Sequence, residues 1–188
     1  MKKHNFSAGP SILPQSVFEK ASQAVLDLDG MGLSILEISH RSKEFISIME
    51  RARALALELA GLTDKGYKAL FLQGGASLQF YASALNLLQH KGAYIDTGTW
   101  AHKALTEAQF VGDIEVIASS KDNGYRNIPT TYNIPKDADY LHITTNNTIY
   151  GTEYFKYPET NIPLIADMSS DIFSKEMPFE KFALIYAG

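Results

Sequence analysis

The sequence predicts an α/β fold, a mainly parallel sheet with helices on both faces and an N-terminal arm. Three observations carry that expectation. Short runs that are apolar throughout, such as Ala69-Leu70-Phe71-Leu72, alternate with stretches whose apolar residues recur at helical spacing. Strands of a parallel sheet are buried on both faces, so they read as continuous apolar runs rather than as alternating ones. Gln73-Gly74-Gly75-Ala76-Ser77 stands between the first such run and the amphipathic stretch from Leu78 to Leu88, which reads as strand, glycine turn and helix.

The elements follow in order. Asn5 to Leu13 is expected as an extended arm, since Ala8-Gly9-Pro10 cannot continue a helix. Pro14 suits a first helical turn, and Val17, Ala21, Ala24, Val25 and Leu28 mark one face of a helix that Gly30 stops. Ser39-His40-Arg41-Ser42 is a polar break in which Ser42 is the expected N-cap. Phe45, Ile48, Met49, Ala52, Leu55, Ala56 and Leu59 then keep a helical period up to Gly61. Strands are expected at 68–72, 93–96, 114–118, 140–144, 164–167 and 183–186, and helices at 77–89 and 100–110. Asp122-Asn123-Gly124 reads as a turn, and Pro129 to Pro135 as irregular. The organisation expected is an arm over 1–14 and one large domain over 15–188.

Composition excludes several classes. Lys and Arg number 17 against 21 Asp and Glu, a net charge of −4 that gives nucleic acid no basic face. Without cysteine there is no disulfide scaffold, no Cys-based zinc site and no thiol nucleophile. Met1-Lys2-Lys3-His4-Asn5-Phe6 lacks the apolar core of a signal peptide, and no apolar run reaches membrane-spanning length. A soluble, cytoplasmic protein is the expectation.

Ligands of open α/β sheets sit at the carboxyl ends of strands, so the residues that follow each strand matter most. At Gly74-Gly75 the backbone can bend sharply, and the amides of Ala76 and Ser77 open a helix whose positive end suits a phosphate. The motif is neither a nucleotide P-loop nor a dinucleotide fingerprint, and a plain tight turn is the alternative. Trp100, the single tryptophan, follows Asp96-Thr97-Gly98-Thr99 in a polar loop. Its indole suits stacking on a flat ring, or equally an anchor of helix against sheet. Thr144 to Thr148 is a row of hydroxyl and amide side chains, able to donate to an anion or simply solvated. Asp167 closes an apolar strand, where it either caps a helix or faces a cation. A phosphate cup, a ring platform, hydroxyls and a carboxylate together suit a flat, phosphorylated, cationic heteroaromatic ring, and pyridoxal 5′-phosphate has that description. ATP would need a metal-ligating acid and a lysine near the glycines.

On these residues the chain resembles the phosphoserine aminotransferase family of fold-type-I pyridoxal-phosphate enzymes over its whole length. The marks are Asn5 to Pro10 with Leu13-Pro14, Ser39 to Phe45, and Leu72 to Phe80, then Gly98-Thr99-Trp100, Asn147 to Gly151, and Asp167 to Ser170. The resemblance implies that Ala76 and Ser77 hold the cofactor phosphate, Trp100 stacks on the ring and Thr148 contacts the cofactor. It implies that Asp167 pairs with the pyridinium nitrogen, and that Arg41, with His40 beside it, binds anionic groups of the substrate. Some family members carry Arg where this chain has Ser77, which removes one basic contact.

The implied reaction moves an amino group between glutamate and 3-phosphohydroxypyruvate to make phosphoserine in serine biosynthesis. For a bacterial homologue the resemblance also implies action on a phosphorylated hydroxythreonine in pyridoxine biosynthesis. The family's Schiff-base lysine follows Tyr-Ala-Gly by a few residues, and this sequence ends at Tyr186-Ala187-Gly188. No lysine present matches it, so the expectation is an N-terminal part of a homodimeric enzyme, without the catalytic lysine or the small domain. Serine–glyoxylate aminotransferase, a cysteine desulfurase and an inert cofactor-binding fragment are the alternatives.

Overall fold

The computed structural model describes residues 3–7 and 9–188, so Ala8 of the expected arm motif lies outside the described residues. The chain divides into two compact units, Met1–Leu70 and Phe71–Gly188. In the first, α1 (Gln15–Leu26) and α2 (Lys43–Leu59) carry the two expected helical periods. Ser42 caps α2 as the sequence requires, its hydroxyl accepting the Phe45 N–H at 3.2 Å. Glu44 in the first turn complements the helix dipole. The arm up to Pro14 has no helix or strand among its described residues.

The second unit holds the sheet. Its helices are α3 (Ala76–Leu87) and α4 (Thr99–Gln109). Five strands, β1 (Lys91–Asp96), β2 (Asp113–Ser119), β3 (Tyr140–Thr144), β6 (Leu164–Asp167) and β7 (Leu184–Tyr186), form one sheet. Its order is β2-β1-β3-β6-β7, and every pair is parallel. A separate antiparallel pair, β4 (Asn146–Asn147) with β5 (Thr152–Glu153), folds the row of hydroxyl and amide residues back on itself. The sequence reading of that row names no strand there.

The strands β1, β3 and β6 are buried almost without exception, which is why they read as unbroken apolar runs. On one face Tyr94, Tyr140, Ile165 and Tyr186 pack with Phe80 and Ala84 of α3 and with Ala104, Leu105 and Ala108 of α4. Ala101, Ala104 and Ala108 repeat at helical spacing, and their small side chains let α4 lie close on the sheet. On the other face Ala93, Ile95, Leu141, Ile143 and Ala166 are equally buried. At the sheet's edge, β2 stays largely exposed.

One expected strand does not form. Residues 68–72 pair with none of the described strands, and Leu70, Phe71 and Leu72 stand 67%, 55% and 65% exposed. An apolar run becomes a strand only where a ladder neighbour takes up its backbone groups.

A clamp ties the amino ends of the strands together. Asp139, just before β3, accepts the N–H groups of Gln89, His90 and Lys91 at 2.7, 2.6 and 3.0 Å through Oδ2. It thereby joins the exit of α3 and the start of β1 to β3. These bonds, the His90 N–H first, hold its carboxyl below the ordinary carboxylate range. In the middle of the sheet His142 stacks on Tyr94 at 4.7 Å and lies 2.8 Å, through Nε2, from the Tyr186 hydroxyl. Burial brings His142 down to about 3, so the ring is neutral.

Candidate functional site

The carboxyl ends of β3 and β6 open into a cavity of about 270 Å³. Its lining includes Gly75, Ala76, Ser77, Trp100, Thr148 and Asp167. The five residues singled out in this unit therefore share one space, although they lie up to about ninety positions apart in sequence. His40 and Arg41 belong to the first unit, where both are exposed in the break before α2, and the Arg41 N–H bonds the Ser39 hydroxyl at 3.1 Å.

The N-terminus of α3 forms one wall. Gly74 turns at φ +93°, which a side chain rarely tolerates, and Gly75 takes the N-cap position with no side chain to cap the helix. In contrast with α2, where Ser42 takes up an N–H, α3 has no side-chain cap on its first amides, and those of Ala76 and Ser77 belong to residues that line the cavity, as an anion site would need.

A second wall comes from Trp100, in the first turn of α4. Its Nε1–H lies 3.4 Å from the Thr148 hydroxyl, and Lys103 Nζ lies 4.8 Å from the ring centroid. The loops that carry Trp100 and Thr148 are tied together, since Asn147 Nδ2 donates to Thr97 Oγ1 at 3.0 Å. Beneath them Asp96, 3% exposed, gathers the Tyr125 hydroxyl, the Ser119 hydroxyl and His102 Nδ1 on its Oδ2 at 3.1 to 3.2 Å. Tyr125 reaches that carboxylate from a left-handed backbone at φ +56°, an uncommon conformation for a bulky residue that the surrounding bonds sustain.

The floor is the last residue of each central strand. Thr144 and Asp167 are register partners, and Asp167 in turn faces Tyr186. Asp167 is 4% exposed, and burial pushes its carboxyl above the ordinary range while two bonds from Ser169 pull it back. Thr144, also on the lining, has a buried hydroxyl with no hydrogen-bond partner. An orphaned hydroxyl beside a buried carboxylate is expensive to keep and is what a polar ligand would satisfy.

Thr144, from the row of hydroxyl and amide side chains, also lines the cavity, as do Ser169, Ser170 and Gly188, which local sequence patterns do not mark as ligand contacts. Asp167-Met168-Ser169 did carry a signal, since an Asp side chain commonly bonds the N–H two residues on. A larger open hollow of about 580 Å³ lies among Tyr154, Phe155, Lys175 and Lys181. There Lys175 and Lys181 already pair with Glu153 and Glu159, whereas the smaller cavity holds the start of α3 and the buried Asp167.

Comparisons with known proteins place the chain in a family. A family model described as aminotransferase class-V matches residues 3–186. The phosphoserine aminotransferase of Flavobacterium johnsoniae is 62% identical over 190 residues, which cover all of this chain and 53% of that protein. Among solved structures, phosphoserine aminotransferase from Bacillus circulans subsp. alkalophilus matches with a TM-score of 0.94 at 43% identity, over 98% of this chain and 52% of that one. The phosphoserine aminotransferase with bound pyridoxal phosphate from Trichomonas vaginalis matches at 0.90 with 30% identity, over 99% and 53%. The chain spans about half the length of the relatives it matches.

Proposed function

Since the chain belongs to the class-V aminotransferase family, we propose that the whole protein transfers an amino group between glutamate and 3-phosphohydroxypyruvate, with phosphoserine as the product and pyridoxal 5′-phosphate as cofactor. The observation that carries this reading is the single cavity that sets the uncapped N-terminus of α3, Trp100, Thr148 and Asp167 around one space. When bound, the cofactor supplies an electron-poor ring that takes up the electron pair released at the amino acid's α-carbon.

The chain's own residues account for its binding and tuning. The amides of Ala76 and Ser77, with the Ser77 hydroxyl, hold the phosphate at the positive end of α3. Trp100 has one ring face beside Lys103 and offers the other for stacking, and Thr148 contacts the ring's substituents. Asp167 keeps the ring nitrogen protonated, because a carboxylate in a dry site favours an opposite charge. Arg41, with His40, takes the substrate's carboxylate or phosphate, to which a guanidinium can make paired bonds. Among the described residues no lysine lines the cavity, and on this reading the imine-forming lysine belongs to the part of the protein outside this chain.

The setting is a homodimer working in the cytoplasm on small molecules, with neither nucleic acid nor membrane as partner. The net charge of −4 supports that reading, and among the described residues no helix is long and apolar enough to cross a membrane. The test is titration of pyridoxal 5′-phosphate into the protein, followed by the quenching of Trp100 fluorescence. Saturable quenching that inorganic phosphate competes away is expected. Quenching that survives in an Asp167→Ala, Ser77→Asp double variant would sink the assignment.

A further inference from the structure

Asp167 meets the cavity with its two oxygens in different states. Oδ1 accepts the backbone N–H of Ser169 at 3.0 Å and the Ser169 hydroxyl at 2.6 Å, and neither bond falls on Oδ2. A serine hydroxyl has one proton to donate, and here Asp167 receives it. The same oxygen then acts as acceptor, taking the Gly188 N–H at 3.2 Å. Gly188 lies so close to the first turn of α3 that a Cβ added to it would collide with the Ala76 backbone nitrogen. One side chain thus touches the carboxylate at one end of the cavity and the backbone that abuts the helix terminus at the other.

We propose that Ser169 is a positioning residue of this site, holding Oδ1 so that Oδ2 is the oxygen presented to the ring nitrogen and setting the span between that carboxylate and the phosphate cup. The inference rests on the cofactor reading above. A carboxylate can turn about its last torsion, so an unheld Asp167 would present either oxygen at varying angles. Two donors on one oxygen remove that freedom. They also favour the ionised form against the burial that disfavours it, and only the ionised form can pair with a protonated ring. Serine suits the place because its hydroxyl donates one way and accepts the other.

The test follows the Asp167 carboxyl signal by carbon NMR against pH in the cofactor-free protein, for the wild type, Ser169→Ala and Ser169→Thr. Ser169→Ala should titrate at higher pH, and Ser169→Thr, which keeps the hydroxyl, should stay near the wild type. Affinity for pyridoxal 5′-phosphate at neutral pH should fall about tenfold in Ser169→Ala, as for one lost charge-assisted bond, and recover in Ser169→Thr. An unmoved carboxyl signal in Ser169→Ala, or a threonine variant that behaves like alanine, overturns the inference. Failure of the wild type to bind the cofactor removes the cofactor reading instead, and the carboxyl titration still decides what Ser169 does to Asp167.

Discussion

At the amino ends of the strands, Asp139 accepts three backbone N–H groups through one oxygen, and its charge is held by that scaffold. At the carboxyl ends, Asp167 is 4% exposed, has one oxygen bonded and the other open to a cavity, and sits where burial disfavours its charge. Nearby Asp171 is similar, with burial raising it and its buried Oδ2 unpartnered. The residue type is the same and the sheet is the same. What differs is whether the chain itself supplies partners to both oxygens, as Gln89 to Lys91 do for Asp139, or to one only. Where it does, the carboxylate stabilises the fold. Where it does not, the fold carries a cost that a ligand can relieve.

The largest effect that would break this contrast is expected at Asp167. Asp167→Asn should lower transamination by the whole protein by about a hundredfold, since a neutral amide cannot hold a ring proton in place. It should also make the protein more stable at neutral pH. The sign follows from the raised carboxyl. Between its unfolded value and its folded one, the native state holds a proton that the unfolded state has lost, so stability falls as pH rises through that window. The gain in Asp167→Asn should therefore vanish in acid, below the unfolded value of 3.8. Urea melts at neutral and acid pH check both halves, and a variant less stable at neutral pH would end the contrast.

Asp139→Ala should move the other way. Three N–H groups lose their acceptor, and a cost of about 1–3 kcal/mol is expected with cofactor affinity unchanged. Asp139 is depressed, so its contribution is present above the unfolded carboxylate range and is lost as pH falls through the folded value. A melt of the variant with cofactor titrated alongside separates the two ends of the sheet, and a loss of affinity as large as the loss of stability would join them.

His142, midway between those ends, sharpens the comparison with a smaller effect. It is neutral when folded down to about 3 and ordinary, at 6.5, when unfolded. The unfolded chain therefore binds a proton that the folded chain refuses, and stability should fall as pH drops from about 6.5 toward 3. His142→Asn should flatten that acid slope while leaving the Asp167 signal in place. An unchanged slope would put the acid sensitivity elsewhere.

Much of this architecture is local and therefore legible in the chain. Ser42 as a cap, the alanine-lined face of α4, the bounds of β3 and β6, and the Gly-Gly turn that opens α3 all follow from spacing within a dozen residues. Those same signals picked out Ala76, Ser77, Trp100, the row from Thr144 to Thr148, and Asp167, because each stands at the end of an expected strand or at a helix start, and the family resemblance narrowed the row to Thr148. Other features depended on residues far apart in sequence. Residues 68–72 have the composition of a strand, but a ladder partner decides whether one forms, and none of the described strands is beside them. Asp139 looks like any polar residue before a strand until Gln89 to Lys91 arrive from some fifty positions away. Ser169 reads as one serine of a pair until Gly188 meets its hydroxyl. Periodicity and turn chemistry determine which residues face inward and where the chain bends. Only the packed tertiary structure decides which polar atoms find a partner within the chain and which remain open to a ligand, because each such bond needs two distant segments in register.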